Sequence, residues 1–399
     1  MKLLIVVSTL NTGGAQKIVS QITTNFPREW EIDILLNSDD NIQFPYRGNI
    51  ISLNKKTEEA LMGLRYHLDI LIKRFLKLRE LKRTGNYDLC ISFLDSANVA
   101  NILTGNRYCR TMVTVVNNMV VTAQNNIYYR LIVNPLIKLL YNRADKISAL
   151  SVDVMNQMIS DYGLDKKKIV PLYCSIDVNE IHDIINNFDV PDVEKEWFNK
   201  EYTVVAAGRY AKQKGQWHLI RAFSEVLKVI PQAKLVIFGE GVLKPYFEQL
   251  IEEYDMAESV LLHPFDDKLV GYISKSAVFV MPSLFEGFGT ALQEALACNV
   301  ACIATDYSSG GKEQLDPTYC GKIIGVHKGK YGLLTPSVSS LMPHSDMQLE
   351  ESEKNISEAI VYLLKNQELR DTYANVSEER AFDFDIGSIV KEWIKVVEA

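Results

Sequence analysis

The sequence predicts an α/β protein made of two doubly wound, Rossmann-like domains in tandem. Three observations carry that expectation. Short apolar, strand-like runs alternate with helical stretches. The alternation restarts after a charge-rich interval of low apolar density at residues 186–199, which reads as the linker. Each of the two series opens with strand, glycine loop and helix.

In the first series, residues 3–8 read as a strand, followed by Gly13-Gly14 and a helix from Ala15. Residues 89–93, 112–116, 147–150 and 169–172 read as further buried strands with helices between them. The second series opens with a strand at 203–207, the loop 208–215 and a helix at 217–229. A strand at 234–238 then leads into Gly239-Glu240-Gly241, and strands follow at 260–263, 278–281 and 301–304. Residues 337–350, rich in Ser, Met and acidic side chains, read as a surface excursion. The expected domains are 1–188 and 189–376. A closing helical stretch at 377–399, with Trp393 on its apolar side, packs back onto the first. Such a layout sets the carboxyl ends of two parallel sheets across a cleft, where α/β proteins bind their ligands.

Composition narrows the class. At 399 residues, with 47% apolar and 23% charged side chains, the chain has ample material for a core and is neither collagen-like, disordered nor a disulfide scaffold. A net charge of −7 argues against a dedicated nucleic-acid binder. The charge is uneven: residues 1–185 hold 22 Lys/Arg against 18 Asp/Glu, the remaining 214 hold 21 against 32. A basic front half points to an anionic surface or substrate on that side. The six cysteines form no CxxC pair, no apolar run reaches the length of a membrane span, and residues 3–7 are too short for a signal-peptide core. The expected location is therefore cytoplasmic and reducing.

Three motifs carry chemistry. The segment Glu286-Gly287-Phe288-Gly289-Thr290 follows a strand and Pro282-Ser283 and opens a helix that bears Glu294. Glycines let backbone N–H groups approach a ligand, and a helix amino end favours an anion. Two carboxylates beside such a loop suit a ligand with both phosphate and sugar hydroxyls. Gly208-Arg209 with Lys214-Gly215 sets two cations on the first loop of the second domain, and Arg209 can grip phosphate oxygens bidentately. Gly13-Gly14, with Lys17 behind it, is a weaker third turn, matching neither GxGxxG nor a P-loop.

On these motifs, together with Phe238-Gly239-Glu240-Gly241, the whole chain resembles the retaining GT-B glycosyltransferases of family 4, bacterial polysaccharide type. The resemblance implies transfer of a sugar from a nucleotide-sugar, UDP-linked, to a lipid-linked saccharide or polysaccharide precursor. It makes residues 1–188 the acceptor-binding domain and 189–376 the donor-binding domain. Arg209 and Lys214 would hold the diphosphate, Glu294 the ribose, and Glu286 the donor sugar. Phe288, Gly289 and Thr290 would contact sugar and phosphate, and Gly13, Gly14, Gly208, Gly239 and Gly287 would be further donor-binding positions, Gly14 closing from the opposite domain. The base would lie near His263 and Phe265, although the family commonly has glycine where Phe265 stands. No metal and no cofactor is implied; the six histidines lack metal-ligand spacing and no DxD pair is suitably placed.

Many relatives carry histidine or arginine where this chain reads Asn117-Asn118. An amide can orient a hydroxyl but cannot serve as a base at neutral pH, so the family's front-face mechanism is expected, with the departing phosphate taking the acceptor proton. Asp95, in a segment similar to hexosamine and galactose transferases, joins Asn117 and Asn118 as an acceptor-side candidate and points to a galactose or N-acetylhexosamine donor. Residues 61–83 read as a basic amphipathic helix whose Arg65, Lys73, Arg74 and Lys77 would meet an anionic membrane surface, placing the protein peripherally on the inner face of the cell membrane. The rival readings are a GT-B nucleotide-sugar epimerase and a non-catalytic sugar-nucleotide-binding partner.

Overall fold

A computed structural model describes residues 1–11, 13–54, 64–116, 129–198, 200–307 and 310–399, the side chains of 64–68 excepted. The chain divides into two units, Met1–Ser175 with Ile386–Ala399, and Ile176–Asp385.

The first unit holds seven strands: β1 (Lys2–Val6), β2 (Glu31–Leu36), β3 (Asn49–Ser52), β4 (Leu89–Phe93), β5 (Arg110–Val115), β6 (Lys146–Ala149) and β7 (Ile169–Pro171). They form one parallel sheet in the order β3-β2-β1-β4-β5-β6-β7. The second unit repeats the design with β8 (Thr203–Ala207), β9 (Lys234–Phe238), β10 (Val260–His263), β11 (Val278–Met281), β12 (Ala301–Thr305), β13 (His327–Lys328) and β14 (Leu333–Thr335). Its order is β10-β9-β8-β11-β12-β14-β13, with only the β13–β14 edge antiparallel. The central strands are apolar on both faces, as parallel strands covered by helices on both sides require: β4, β8, β11 and β12 are buried at every position.

The unit boundary falls before the helix Val178–Asn186, not after residue 188. That helix belongs with the second unit because its partners are there: His182 Nε2 lies 3.2 Å from the carbonyl of Ala297, and the Phe188 ring packs on Tyr272 at 4.6 Å. The interval 186–199, expected as a linker, contains the short helical turn Asp192–Trp197, whose Glu194 accepts a hydrogen bond from Tyr272 at 2.8 Å. The closing helical stretch is two elements. Gln367–Phe382 stays in the second unit, and after a bend Ile386–Glu398 joins the first, where Trp393 stacks on Phe93 at 6.0 Å. The 337–350 excursion is tied down: Trp217 Nε1 donates to Leu341 O, and the buried Arg221 donates to the carbonyls of His344, Met347 and Gln348.

The helix Leu64–Thr84 departs from its expected amphipathicity. Arg74 is 2% exposed; its guanidinium donates to Asn37 Oδ1 at 2.7 Å and Ser96 Oγ at 2.7 Å. Burial lowers its pKa to about 10. Lys82, 1% exposed, donates to the carbonyls of Asn101 and Gly105, capping the carboxyl end of the neighbouring helix Asp95–Leu103. Meanwhile Leu71, Ile72 and Leu76 are exposed. Lys73 pairs with Asp69 and Lys77 with Glu80. Two cations thus serve the fold and three apolar residues face outward, because specific carbonyl and amide acceptors inside the unit outweigh the helical pattern. Arg74 is therefore not a surface cation, and the side chain of Arg65 lies outside the described residues. The substitution Arg74→Glu, neutral on an exposed face, is expected to lower the thermal unfolding midpoint by several degrees, by stranding Asn37 and Ser96. An unchanged midpoint would return Arg74 to the surface.

Candidate functional site

The strand order of the second sheet reverses between β8 and β11, which are hydrogen-bonded neighbours. Loops leaving the carboxyl ends of strands at such a point diverge and leave room for a ligand. Here those loops are Gly208–Gly215 and Pro282–Gly289, the two that carry the sharpest motifs.

The loops are fastened to each other. Leu284 N donates to Gln213 O at 2.9 Å. Gly215, at φ +60°, passes so close that a Cβ there would lie 2.2 Å from the carbonyl oxygen of Pro282. Across this seam Lys214 Nζ meets Glu286 Oε1 at 2.7 Å. Gln213 Nε2 donates to Oε2 at 3.0 Å and Ser283 Oγ to Oε1 at 2.7 Å. Glu286 is 6% exposed, so its negative charge is held by these donors in place of water. Ser283 is itself fixed by Thr305, whose hydroxyl donates to its carbonyl at 2.7 Å.

Beyond Glu286, Phe288 is buried against Phe384, with ring centroids 5.4 Å apart, and its carbonyl accepts from Gln314 Nε2 at 2.8 Å. This anchors the loop just before Gly289, at φ +99°, starts the helix Thr290–Ala297. Gly287 and Thr290 are partly exposed beside it, and Glu294 lies one turn along on the Thr290 face, also partly exposed. In this first turn Leu292 N donates to Gly289 O at 3.0 Å, and the first backbone N–H groups of an α-helix otherwise have no acceptor within it. Arg209 is exposed, and among the described residues its guanidinium makes no hydrogen bond or ion pair. The structure thus gathers Lys214 and Glu286 directly, and sets Gly208, Arg209, Gly287, Phe288, Gly289, Thr290 and Glu294 on the same two loops and the helix that follows.

Two other expected donor-site residues have close neighbours within the unit. Gly239 lies against the carbonyl of Gly208, where a Cβ would approach to 2.1 Å. His263 is buried between Phe238 and Tyr272, with Nδ1 2.8 Å from its neighbour's carbonyl and Nε2 3.3 Å from Glu194 Oε1. Both of its ring nitrogens are thereby engaged within the unit. Phe265, next in the loop, is exposed.

In the first unit the reversal of strand order falls between β1 and β4. Gly13 and Gly14, both exposed, follow β1 and start the helix Gly14–Asn25. Asp95 follows β4 directly, after Leu94, which takes the left-handed φ of +73°. Its carboxyl receives the hydroxyl of Tyr141 at 3.3 Å and that of Tyr129, and burial raises its pKa. Asn117 and Asn118 lie outside the described residues. Among the described residues no group of three or more His, Cys, Asp or Glu side chains is placed to hold a metal.

Sequence reasoning missed Gln213. Its signal was adjacency: a neutral amide between two lysines on a loop expected to meet phosphate. It also gave Ser283 no role beyond marking the motif.

Comparison with known proteins settles the family. Residues 12–180 match the model of glycosyltransferase family 4, and residues 189–330 that of the glycosyl transferases group 1. A glycosyltransferase of Methanocaldococcus jannaschii, itself uncharacterized, is 31% identical over 367 residues, spanning 88% of this chain and 87% of its own. The chain belongs to the family 4 glycosyltransferases. A Campylobacter jejuni protein named N-acetylgalactosamine-N,N'-diacetylbacillosaminyl-diphospho-undecaprenol 4-alpha-N-acetylgalactosaminyltransferase is 27% identical over 399 residues, spanning 99% of this chain and 98% of its own. Among solved structures, an Anabaena protein in complex with UDP superposes with a TM-score of 0.73 at 16% identity, covering all of both chains. The two doubly wound units are thus the GT-B fold of this glycosyltransferase family.

Within this glycosyltransferase, the seam between the two loops makes its own demand. Gly215→Ala forces the loops apart and adds a side chain at a left-handed φ, a cost of about 1–2 kcal/mol. Calorimetric unfolding should show a lower transition temperature. A transition at the wild-type temperature would mean the loops are not packed flush.

Proposed function

We propose that this glycosyltransferase moves a galactose-type or N-acetylhexosamine-type sugar from a UDP-linked donor to a lipid-carried saccharide, with retention at the anomeric carbon and without a metal. The observation that carries the reading is the Lys214–Glu286 contact at the switch point of the second sheet. It sets a cation and a buried carboxylate beside a helix amino end, the three elements that a nucleotide-sugar with its diphosphate and hydroxyls calls for.

In this reading Arg209 and Lys214 bind the diphosphate and take up the charge that develops on it as the sugar departs. Glu286 accepts hydrogen bonds from donor-sugar hydroxyls and supports positive charge on the ring. Glu294 accepts from the ribose, and the backbone at Phe288, Gly289 and Thr290 meets sugar and phosphate. The glycosidic bond to phosphate breaks as the acceptor oxygen bonds to the same face of the anomeric carbon. The acceptor proton passes to the phosphate oxygen, so no protein base is needed. Asp95, at the carboxyl end of the first sheet, orients an acceptor hydroxyl. Arg209 and Lys214 supply the positive charge that a divalent ion would otherwise bring to the diphosphate.

The lipid-carried acceptor is supported by the Campylobacter relative, whose name specifies a diphospho-undecaprenol substrate. It is supported also by the outward face of helix Leu64–Thr84, where exposed Leu71, Ile72 and Leu76 lie among exposed Lys73, Arg79 and Arg83, a composition suited to an anionic bilayer. The reading places the protein peripherally on the inner face of the cell membrane; no described helix is long and apolar enough to cross a membrane.

The test offers a panel of UDP-, GDP- and ADP-sugars together with polyprenyl-diphosphate saccharide in anionic vesicles. UDP release that depends on acceptor, with an α-linked product from an α-linked donor, is expected. Glu286→Ala and Lys214→Ala should each lower the rate at least ~100-fold, since groups aimed at developing charge typically carry about 3 kcal/mol. Epimer formation without acceptor, or full activity in both variants, would overturn the reading.

A further inference from the structure

Lys214 has two obligations that conflict. In the structure its ammonium is 2.7 Å from Glu286, whose side chain is 7% exposed. In the proposed reaction the same ammonium serves the donor diphosphate. A buried carboxylate that loses its cation and finds no substitute is strongly destabilised, so a transfer of Lys214 to phosphate would be opposed by the charge it leaves behind.

The two loops supply the substitute. Gln213 Nε2 donates to Glu286 Oε2 at 3.0 Å and Ser283 Oγ to Oε1 at 2.7 Å. The backbone behind each donor is anchored. Gln213 is fixed through its own carbonyl, which accepts from Leu284 N at 2.9 Å, and Ser283 through its carbonyl, which accepts from Thr305 Oγ1 at 2.7 Å. Lys214 lies with its aliphatic stem on the bare backbone of Gly208, Cδ and Cε 3.1 Å from the point where a Cβ would stand, and its side chain is 18% exposed. The donors that stay are neutral. They keep both carboxylate oxygens bonded and add no positive charge to compete for the phosphate.

We propose that Gln213 and Ser283 are positioning residues that hold the Glu286 carboxylate in place while Lys214 transfers from it to the donor diphosphate. This rests on the reading of Lys214 and Glu286 given above. Without the two neutral donors, Glu286 would grip Lys214 harder and the donor would bind less well. The effect would act through Glu286 and therefore disappear when its charge is removed.

UDP is the probe, with affinity measured by calorimetry on the full chain. Gln213→Met is expected to weaken UDP binding roughly 10-fold, as for one hydrogen bond to a charged group. Ser283→Ala should act in the same direction, and Ser283→Thr should restore affinity. In a Glu286→Gln background, Gln213→Met should change UDP affinity by less than about 2-fold, because the carboxylate that traps Lys214 is gone. Thermal unfolding midpoints serve as the control for folding. Equal costs in both backgrounds, or no cost in the wild-type background, would overturn the proposal while leaving the donor site intact. Failure of the wild-type chain to bind UDP at all would overturn the donor reading and the proposal with it.

Discussion

A carboxylate almost shut off from water dictates much of the second unit. Burying it requires donors, and those that bond Glu286 come from two loops far apart in sequence. The loops must therefore leave adjacent strands, which fixes their place at the β8–β11 switch point. They must also lie flush, which Gly215 permits. Phe288 must stay put so that Glu286, two residues earlier, stays aimed, and Gln314 and Phe384 hold it. Each of these packing details follows from the one requirement of keeping a buried charge bonded.

The first unit meets a related requirement with the opposite sign. Its helix Leu64–Thr84 turns Arg74 and Lys82 inward, where amide, hydroxyl and carbonyl acceptors neutralise them locally. The excess of cations in the amino-terminal half is thus divided. Some of it is internal scaffolding, and only the outward set, with its exposed leucines and isoleucine, is available to an anionic surface. A count of charges along the chain overstates the surface that those charges present.

The fold was legible in the sequence because parallel central strands are unbroken apolar runs. The runs at 89–93, 203–207, 234–238, 260–263 and 278–281 coincide with β4, β8, β9, β10 and β11. What escaped was what lacks that signature. β2 begins with charged residues and β3 is a four-residue edge strand that is nowhere fully buried. The unit boundary was misplaced because low apolar density at 186–199 looks like a linker, whereas a single short turn carrying Glu194 is enough to pin it. Of the candidate site, Lys214 and Glu286 were readable from glycine loops and helix starts. Gln213 was not, since an amide among lysines has no periodicity to betray it. The packing of His263 in an aromatic cluster and of Gly239 against the backbone of Gly208 was not legible. Arg74 was misread because helical spacing reports which residues share a face, not whether an acceptor waits behind it.

The claim on which all of this turns is that Lys214 moves between a buried carboxylate and a phosphate. A crystal structure of the chain with UDP bound tests it most directly. The account predicts a β-phosphate oxygen at hydrogen-bond distance, about 2.7–3.2 Å, from Lys214 Nζ and from Arg209, with Glu286 still bonded to Gln213 and Ser283. A diphosphate bound away from these loops, with the Lys214–Glu286 contact intact at 2.7 Å, would contradict it.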